Sequence, residues 1–174
     1  MANSNKATSS KLIIIISIVL VLVVGVFAYL NLNLSKEKSA MSLKGEIAII
    51  TGDTEFARIT PDFLEGLTAE TFTATQKSSG KDPFERTFTG IPLIHVLNEK
   101  KVSLETAKQV LMGSLDGYSV ALSPEEVSDK DNVWLVWAAD GEPLDSKAAP
   151  YMIVIRKDPF SQRWSKMLCQ ITIN

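Results

Sequence analysis

Cysteine and histidine are almost missing from this chain. Its 174 residues include one of each, Cys169 and His95. A single cysteine excludes an intrachain disulfide and any zinc site built from paired cysteines. A single histidine, with no second histidine or cysteine at ligand spacing, makes a poor metal centre. No triad-like motif surrounds it, so a serine nucleophile would lack an activating base. Basic charge is also short: 18 Lys and Arg against 20 Asp and Glu leave a net charge of −2. A nucleic-acid binder normally needs a basic face, so none is expected as a partner. Internal repeats, heptads and low-complexity segments are absent from the sequence as well. With 45% hydrophobic and 22% charged residues, the composition is otherwise that of an ordinary globular protein.

The one long hydrophobic run stands out against this background. Residues 12–30, from Leu12 to Leu30, are about 19 residues of nearly unbroken Leu, Ile and Val without a charge, long enough to cross a hydrocarbon layer of roughly 30 Å. Tyr29 stands where an interfacial aromatic would mark the exit. The run is longer than the apolar part of an ordinary signal peptide. No small-residue cleavage site follows it directly, Ala40 after Lys38-Ser39 being distant. The expectation is an uncleaved transmembrane anchor, with 1–11 as a cytoplasmic tail, 31–43 as a polar linker without periodicity and 44–174 as one domain. Lys6 and Lys11 precede the run and Lys36 and Lys38 follow it, so the charge bias is small. The short tail ahead and the whole domain behind favour a single-pass protein of the cell membrane with an extracytoplasmic domain. No twin-arginine pair precedes the run, which implies export of an unfolded chain.

Behind the run the elements are short. Residues 45–51 read as a strand ended by Gly52-Asp53. Thr60-Pro61-Asp62 starts a helix, with Thr60 as N-cap and Pro61 at the first helical position, and Gly66 ends it. Residues 71–77 alternate, Phe72, Ala74 and Gln76 on one face and threonines on the other. A polar cluster, Ser78-Ser79-Gly80-Lys81-Asp82-Pro83, interrupts the alternation. It resumes over 84–89, and Gly90 and Pro92 lead into a helix over 92–100 with His95 on its outer face. Residues 108–114 and 118–122 read as strands around Asp116-Gly117, a hairpin signal. Ser123-Pro124-Glu125-Glu126 is a capping box that starts a further helix. The run VWLVWAA at 133–139 is a buried strand turned by Asp140-Gly141, with Trp134 and Trp137 pointing to opposite faces. A second buried strand covers 151–155. The last stretch, 164–173, alternates and places Cys169 in its apolar row, where a thiol behaves as a small inert hydrophobe. Many short strands with a few brief helices predict an α+β domain with a mixed sheet or barrel-like core.

Four motifs carry a resemblance. Phe88-Thr89-Gly90-Ile91-Pro92-Leu93 resembles the aromatic-T-G-V-P-L turn of the molybdopterin-binding domain of the sulfite oxidase family. Asp116-Gly117-Tyr118-Ser119-Val120, Asp140-Gly141-Glu142-Pro143-Leu144 and Arg163-Trp164-Ser165-Lys166-Met167-Leu168 match it further, in order. The resemblance covers roughly 44–174 and implies the fold of that domain, a mixed-sheet α+β structure. It also implies a cysteine after the strand at 71–77 whose sulfur ligates molybdenum. Aligning on Thr73 and Thr75 puts Ser78 at that position. The family's Gly- and aromatic-rich loop over the substrate site is matched poorly by Asp158-Pro159-Phe160.

The resemblance implies a cofactor pocket formed by Ser78, Arg86, Arg163 and Lys166, with Lys77 and Lys81 as further cations near an anionic phosphate. The plain alternative is a solvated turn at Ser78 and ordinary strand-face charge at the basic residues. The altered ligand position predicts a chain with no cofactor, molybdopterin being the one the family would supply. The reading is therefore a membrane-anchored binding or assembly module without catalysis. Its alternatives are a molybdopterin-dependent oxidoreductase with an atypical metal ligand and a binder of another small anion. The membrane is the first expected partner, and a membrane redox protein a second.

Overall fold

The computed structural model describes residues 4–77, 80 and 82–174, with side chains from residue 13 onward except 37, 41 and 42. Ser78, Ser79 and Lys81 lie outside the described residues. The chain divides into two units, residues 1–39 and 40–174.

Helix α1 spans Ser4–Leu43. Within it Ile13–Ala40, 28 residues, is long and apolar enough to cross a membrane, reaching about 42 Å at 1.5 Å per residue. The apolar run at 12–30 is thus helical, but the linker expected over 31–43 is not a separate connector. No glycine or proline occurs between Gly25 and Gly45, and Leu, Lys, Glu, Ala and Met are good helix formers. The helix continues until Gly45, whose φ of 66° ends it in the left-handed conformation.

The second unit contains two five-stranded sheets. In the first, β1 (Ile47–Thr51) lies between β2 (Thr54–Ile59) and β10 (Leu168–Ile173), followed by β5 (Val110–Ser114) and β6 (Ser119–Leu122). The β1–β10 pair is parallel, so the sheet is mixed. In the second, β3 (Glu70–Gln76) pairs with β4 (Phe84–Pro92), β4 with β7 (Val133–Ala139), and β7 with both β8 (Glu142–Pro143) and β9 (Met152–Ile155). Neither sheet closes on itself, so the barrel-like core is corrected to two open sheets. The α+β reading stands.

Strand β2 has no counterpart in the sequence reading. Of its residues only Ile59 is fully buried, and Arg58 bridges Glu46 and Glu55 at 2.8 Å each. Such a polar strand lacks the apolar alternation that marks a half-buried one. The short helices start as expected. In α2 (Pro61–Glu65) the Thr60 hydroxyl accepts the Phe63 amide at 3.4 Å. In α4 (Pro124–Ser128) Ser123 and Glu126 cap each other, at 3.2 and 2.8 Å. Between them α3 spans Leu93–Glu99 and leaves His95 exposed.

The core joins the second sheet to the segment before β10. Phe72 stacks at 4.3 Å on Trp134 and at 5.8 Å on Phe88, and Phe88 meets the edge of Trp164 at 5.5 Å. Trp164 donates its Nε1–H to the Ile155 carbonyl at 3.2 Å. The alternation expected from 164 begins only at Leu168. A 3-10 turn occupies Ser161–Arg163, and Met167 has a φ of 47°. This irregular segment stitches the two sheets together, because Leu115 donates to the Met167 carbonyl and Met167 to that of Ala148, each at 3.0 Å. Cys169 is fully buried in β10, as the apolar row predicts.

Candidate functional site

Strand pairing decides which polar side chains converge. Gln76 at the end of β3 and Arg86 in β4 lie on the face that carries Phe72 and Phe88, because directly opposed residues share a face and Ala74 opposes Arg86. Beyond the aromatic residues this face runs into a cavity of about 210 Å³. Gln76, Arg86, Glu142, Ser161, Trp164 and Lys166 are among its walls.

The Asp140-Gly141 turn joins two residues of the cavity wall, Ala139 and Glu142. Asp140 and Gly141 have positive φ, 55° and 84°, and they join β7 directly to β8, the geometry that Asp-Gly favours in two-residue hairpins. The turn aims the Asp140 carboxylate back at β4, where it accepts from Arg86 Nε at 2.7 Å and from the Thr87 amide at 3.0 Å. The Arg86 bond, and then the Thr87 amide, hold the Asp140 carboxyl below the usual range. Arg86 also lies over the Phe88 ring, 5.6 Å from its centroid. Its guanidinium is thus fixed at the cavity wall with one edge already used.

A further part of the wall comes from the 3-10 turn. Ser161 donates twice to the Lys77 carbonyl, from Oγ at 2.8 Å and from its amide at 3.2 Å. Lys77 Nζ sits 4.5 Å from the Phe160 ring centroid. Asp158-Pro159-Phe160 is therefore latched to the residue that leads into Ser78. Lys166 lines the cavity and makes no ion pair with the described residues.

Arg163 goes elsewhere. It ion-pairs with Asp158 and, at 2.8 Å, with Glu126 of α4, and it does not line the cavity. Two of the four expected pocket residues, Arg86 and Lys166, are brought together. Arg163 is spent on holding α4 to the loop, and Ser78 lies outside the described residues. Asp140, Glu142 and Ser161 were assigned no role from the sequence. The first two stand inside a quoted motif, so the signal for them was on the page without a side-chain destination.

The Arg163 pair has a consequence for acid stability. Its hydrogen bond holds the Glu126 carboxyl below the ordinary value. A folded value below the unfolded one stabilises the fold above about pH 4.3 and is lost as pH falls through the lowered value. With side chains 40% and 31% exposed, the effect is below about 1 kcal/mol. Denaturant melts of wild type and Glu126→Gln should differ at pH 7 and converge near pH 3. A gap that persists in acid would show that the pair is not its source.

Comparison with known proteins bears on this arrangement. The sequence model of the oxidoreductase molybdopterin binding domain matches residues 66–174. The chain belongs to that family. Among solved structures it is similar to the sulfane dehydrogenase SoxCD from Paracoccus pantotrophus, with a TM-score of 0.60 and 20% identity. The likeness covers 74% of this chain and 37% of that one, and at this identity it shows the fold. No curated protein matches the chain.

Among the described residues the cavity is small for the family's cofactor. Its volume of about 210 Å³ is below the roughly 300 Å³ at which pockets for sizeable organic ligands begin. Arg86 is already paired with Asp140, and Glu142 and Asp145 stand in the wall, so among the described lining residues only Lys166 offers an unpaired cation. The only cysteine in the sequence lies buried in β10, in the other sheet. Among the described residues no three His, Cys, Asp or Glu side chains are placed to hold a metal ion.

Proposed function

We propose that this protein is a membrane-anchored, non-catalytic member of the molybdopterin-binding family whose cavity takes a small anion instead of the pterin. The observation that carries this reading is Lys166, a cation in the cavity wall without an ion-pair partner among the described residues. Gln76 supplies a neutral donor in the same wall. Glu142 and Asp145 stand in the same wall, the Asp145 carboxylate accepting the Lys147 amide at 2.9 Å within its own turn. A volume of about 210 Å³ suits an ion of a few heavy atoms.

Calorimetric titration of the full-length protein in detergent with sulfate, phosphate and acetate tests this. One of them should bind saturably. Lys166→Met should weaken it about tenfold or more, the usual cost of losing a charged hydrogen-bond partner. Asp140→Asn should strengthen it about threefold. The amide keeps the oxygen that accepts from Thr87 and tolerates the positive φ, while releasing an exposed ion pair worth under about 1 kcal/mol. No saturable binding, or binding indifferent to Lys166→Met, would remove the proposal.

Helix α1 would hold this domain at the cell membrane on the extracytoplasmic side. Its support is the length and composition of Ile13–Ala40. Alkaline carbonate extraction and protease treatment of intact cells check both parts. A protein released by carbonate is not anchored, and a domain cut only after lysis lies on the other side.

A further inference from the structure

A second cavity, of about 260 Å³, is lined by Pro61, Leu64, Glu65, Trp137, Pro150 and Tyr151. It shares no residue with the first. Its construction begins with an irregularity in the second sheet. The β4–β7 register steps from Thr89 opposite Ala138 to Gly90 opposite Val136, leaving Trp137 without a partner on β4. A bulge of this kind re-aims the side chain of its extra residue. Here it delivers the half-buried Trp137 indole to the cavity wall.

Two polar groups in the same wall have no protein partner among the described residues and both reach solvent, Glu65 being exposed. Tyr151 is 8% exposed, yet its hydroxyl has no hydrogen-bond partner among the described residues. A buried phenol normally finds one. Glu65, on α2, makes no ion pair and no side-chain hydrogen bond among the described residues. Burial, and secondarily the charge of Glu65, push the Tyr151 phenol above its usual value. The remaining walls are two prolines and a leucine.

This combination selects by charge. An anion would meet Glu65. A neutral apolar molecule would leave the carboxylate uncompensated. A cation with an apolar surface complements the carboxylate, the aromatic rings and the apolar walls together. Its alkyl groups pack on Pro61, Leu64 and Pro150, its charge lies against the π faces of Trp137 and Tyr151, and Glu65 neutralises it. Tryptophan is the strongest aromatic partner for such a group, and quaternary ammonium recognition is the common use of this arrangement. We infer that the Trp137–Tyr151–Glu65 cavity binds a small alkylated ammonium compound. The inference is independent of the anion cavity.

The test is a titration of full-length protein in a non-ionic maltoside detergent, followed by tryptophan fluorescence and calorimetry. The probes are choline and its neutral isostere 3,3-dimethylbutan-1-ol. Choline should bind saturably, and the isostere at least about tenfold more weakly. Glu65→Gln should reduce choline affinity about fivefold. Trp137→Leu should reduce it about tenfold, and Trp137→Phe less, the Phe variant serving if the leucine variant fails to fold. Competition by glycine betaine or by dihexanoyl phosphatidylcholine below its micelle concentration assigns the source, a free solute or a lipid headgroup. Absence of saturable choline binding, equal affinity for the isostere, or full affinity in Glu65→Gln would each overturn the inference.

Discussion

Gly90→Ala is expected to lower stability by about 3 kcal/mol or more, the upper range for forcing an atom into a packed interior. A Cβ at Gly90 would lie 2.2 Å from the Leu135 carbonyl oxygen and 2.8 Å from Val136 Cγ1. The first of these is backbone in the adjoining strand, bonded into the β7–β9 pair as well as to β4. It cannot move aside without disturbing the centre of the sheet. For a domain with a total stability of about 5–15 kcal/mol, the melting temperature should fall by about 10 °C. Gly113→Ala is the control, since a Cβ there meets Gln170 Cβ at 3.4 Å, an ordinary contact. Its cost should stay below about 1 kcal/mol. Thermal melts of the three full-length proteins in detergent decide the matter. A Gly90→Ala protein as stable as Gly113→Ala would mean that β4 and β7 are not this close. The same approach explains the glycine in Phe88-Thr89-Gly90-Ile91-Pro92-Leu93. The motif's glycine is where two strands touch at a bulge, and its Pro92 opposes Trp134.

The second large effect concerns metal content. Protein purified from its native host should contain no stoichiometric molybdenum or pterin, and Ser78→Cys should not restore them. A thiolate is a soft charged ligand suited to such a metal, whereas a neutral serine hydroxyl is a far weaker one. Supplying the sulfur alone would leave a cavity of about 210 Å³ whose arginine is already bound to Asp140. Ligands work only when the groups around them hold the rest of the complex. Elemental analysis and pterin fluorescence of both proteins give the answer. Stoichiometric molybdenum in the wild type would refute the non-catalytic reading. Molybdenum in Ser78→Cys alone would show that the ligand was all that had changed.

What local chemistry writes, the sequence showed. The apolar run at 12–30, the caps at Thr60 and Ser123, the turns at Asp116-Gly117 and Asp140-Gly141, and the alternation around Phe72 are each contained within a few residues. Their causes are backbone sterics, capping and side-chain period, which operate at that range. The four motifs in order also identified the family. Where the signal was weak the reading failed, as at β2, whose polar face hid a strand, and at 31–43, where helix formers extend α1 past the last aliphatic residues.

Tertiary pairing decided the rest. The parallel β1–β10 ladder sets Ala48 opposite Gln170, and no local pattern announces a partner that distant. Arg163 and Lys166 stand three residues apart in one motif, yet one closes an ion-pair cluster and the other enters a cavity. The 3-10 turn that ends at Arg163 and the left-handed Met167 just before β10 replace the simple alternation of a strand. Asp140 came to hold the cavity residue Arg86 because its turn folds back on β4, 54 residues earlier. The sequence by itself determined which elements form and which family they compose. Only the packed structure determined which charges meet, because a side chain's destination depends on register and backbone twist accumulated over the whole sheet.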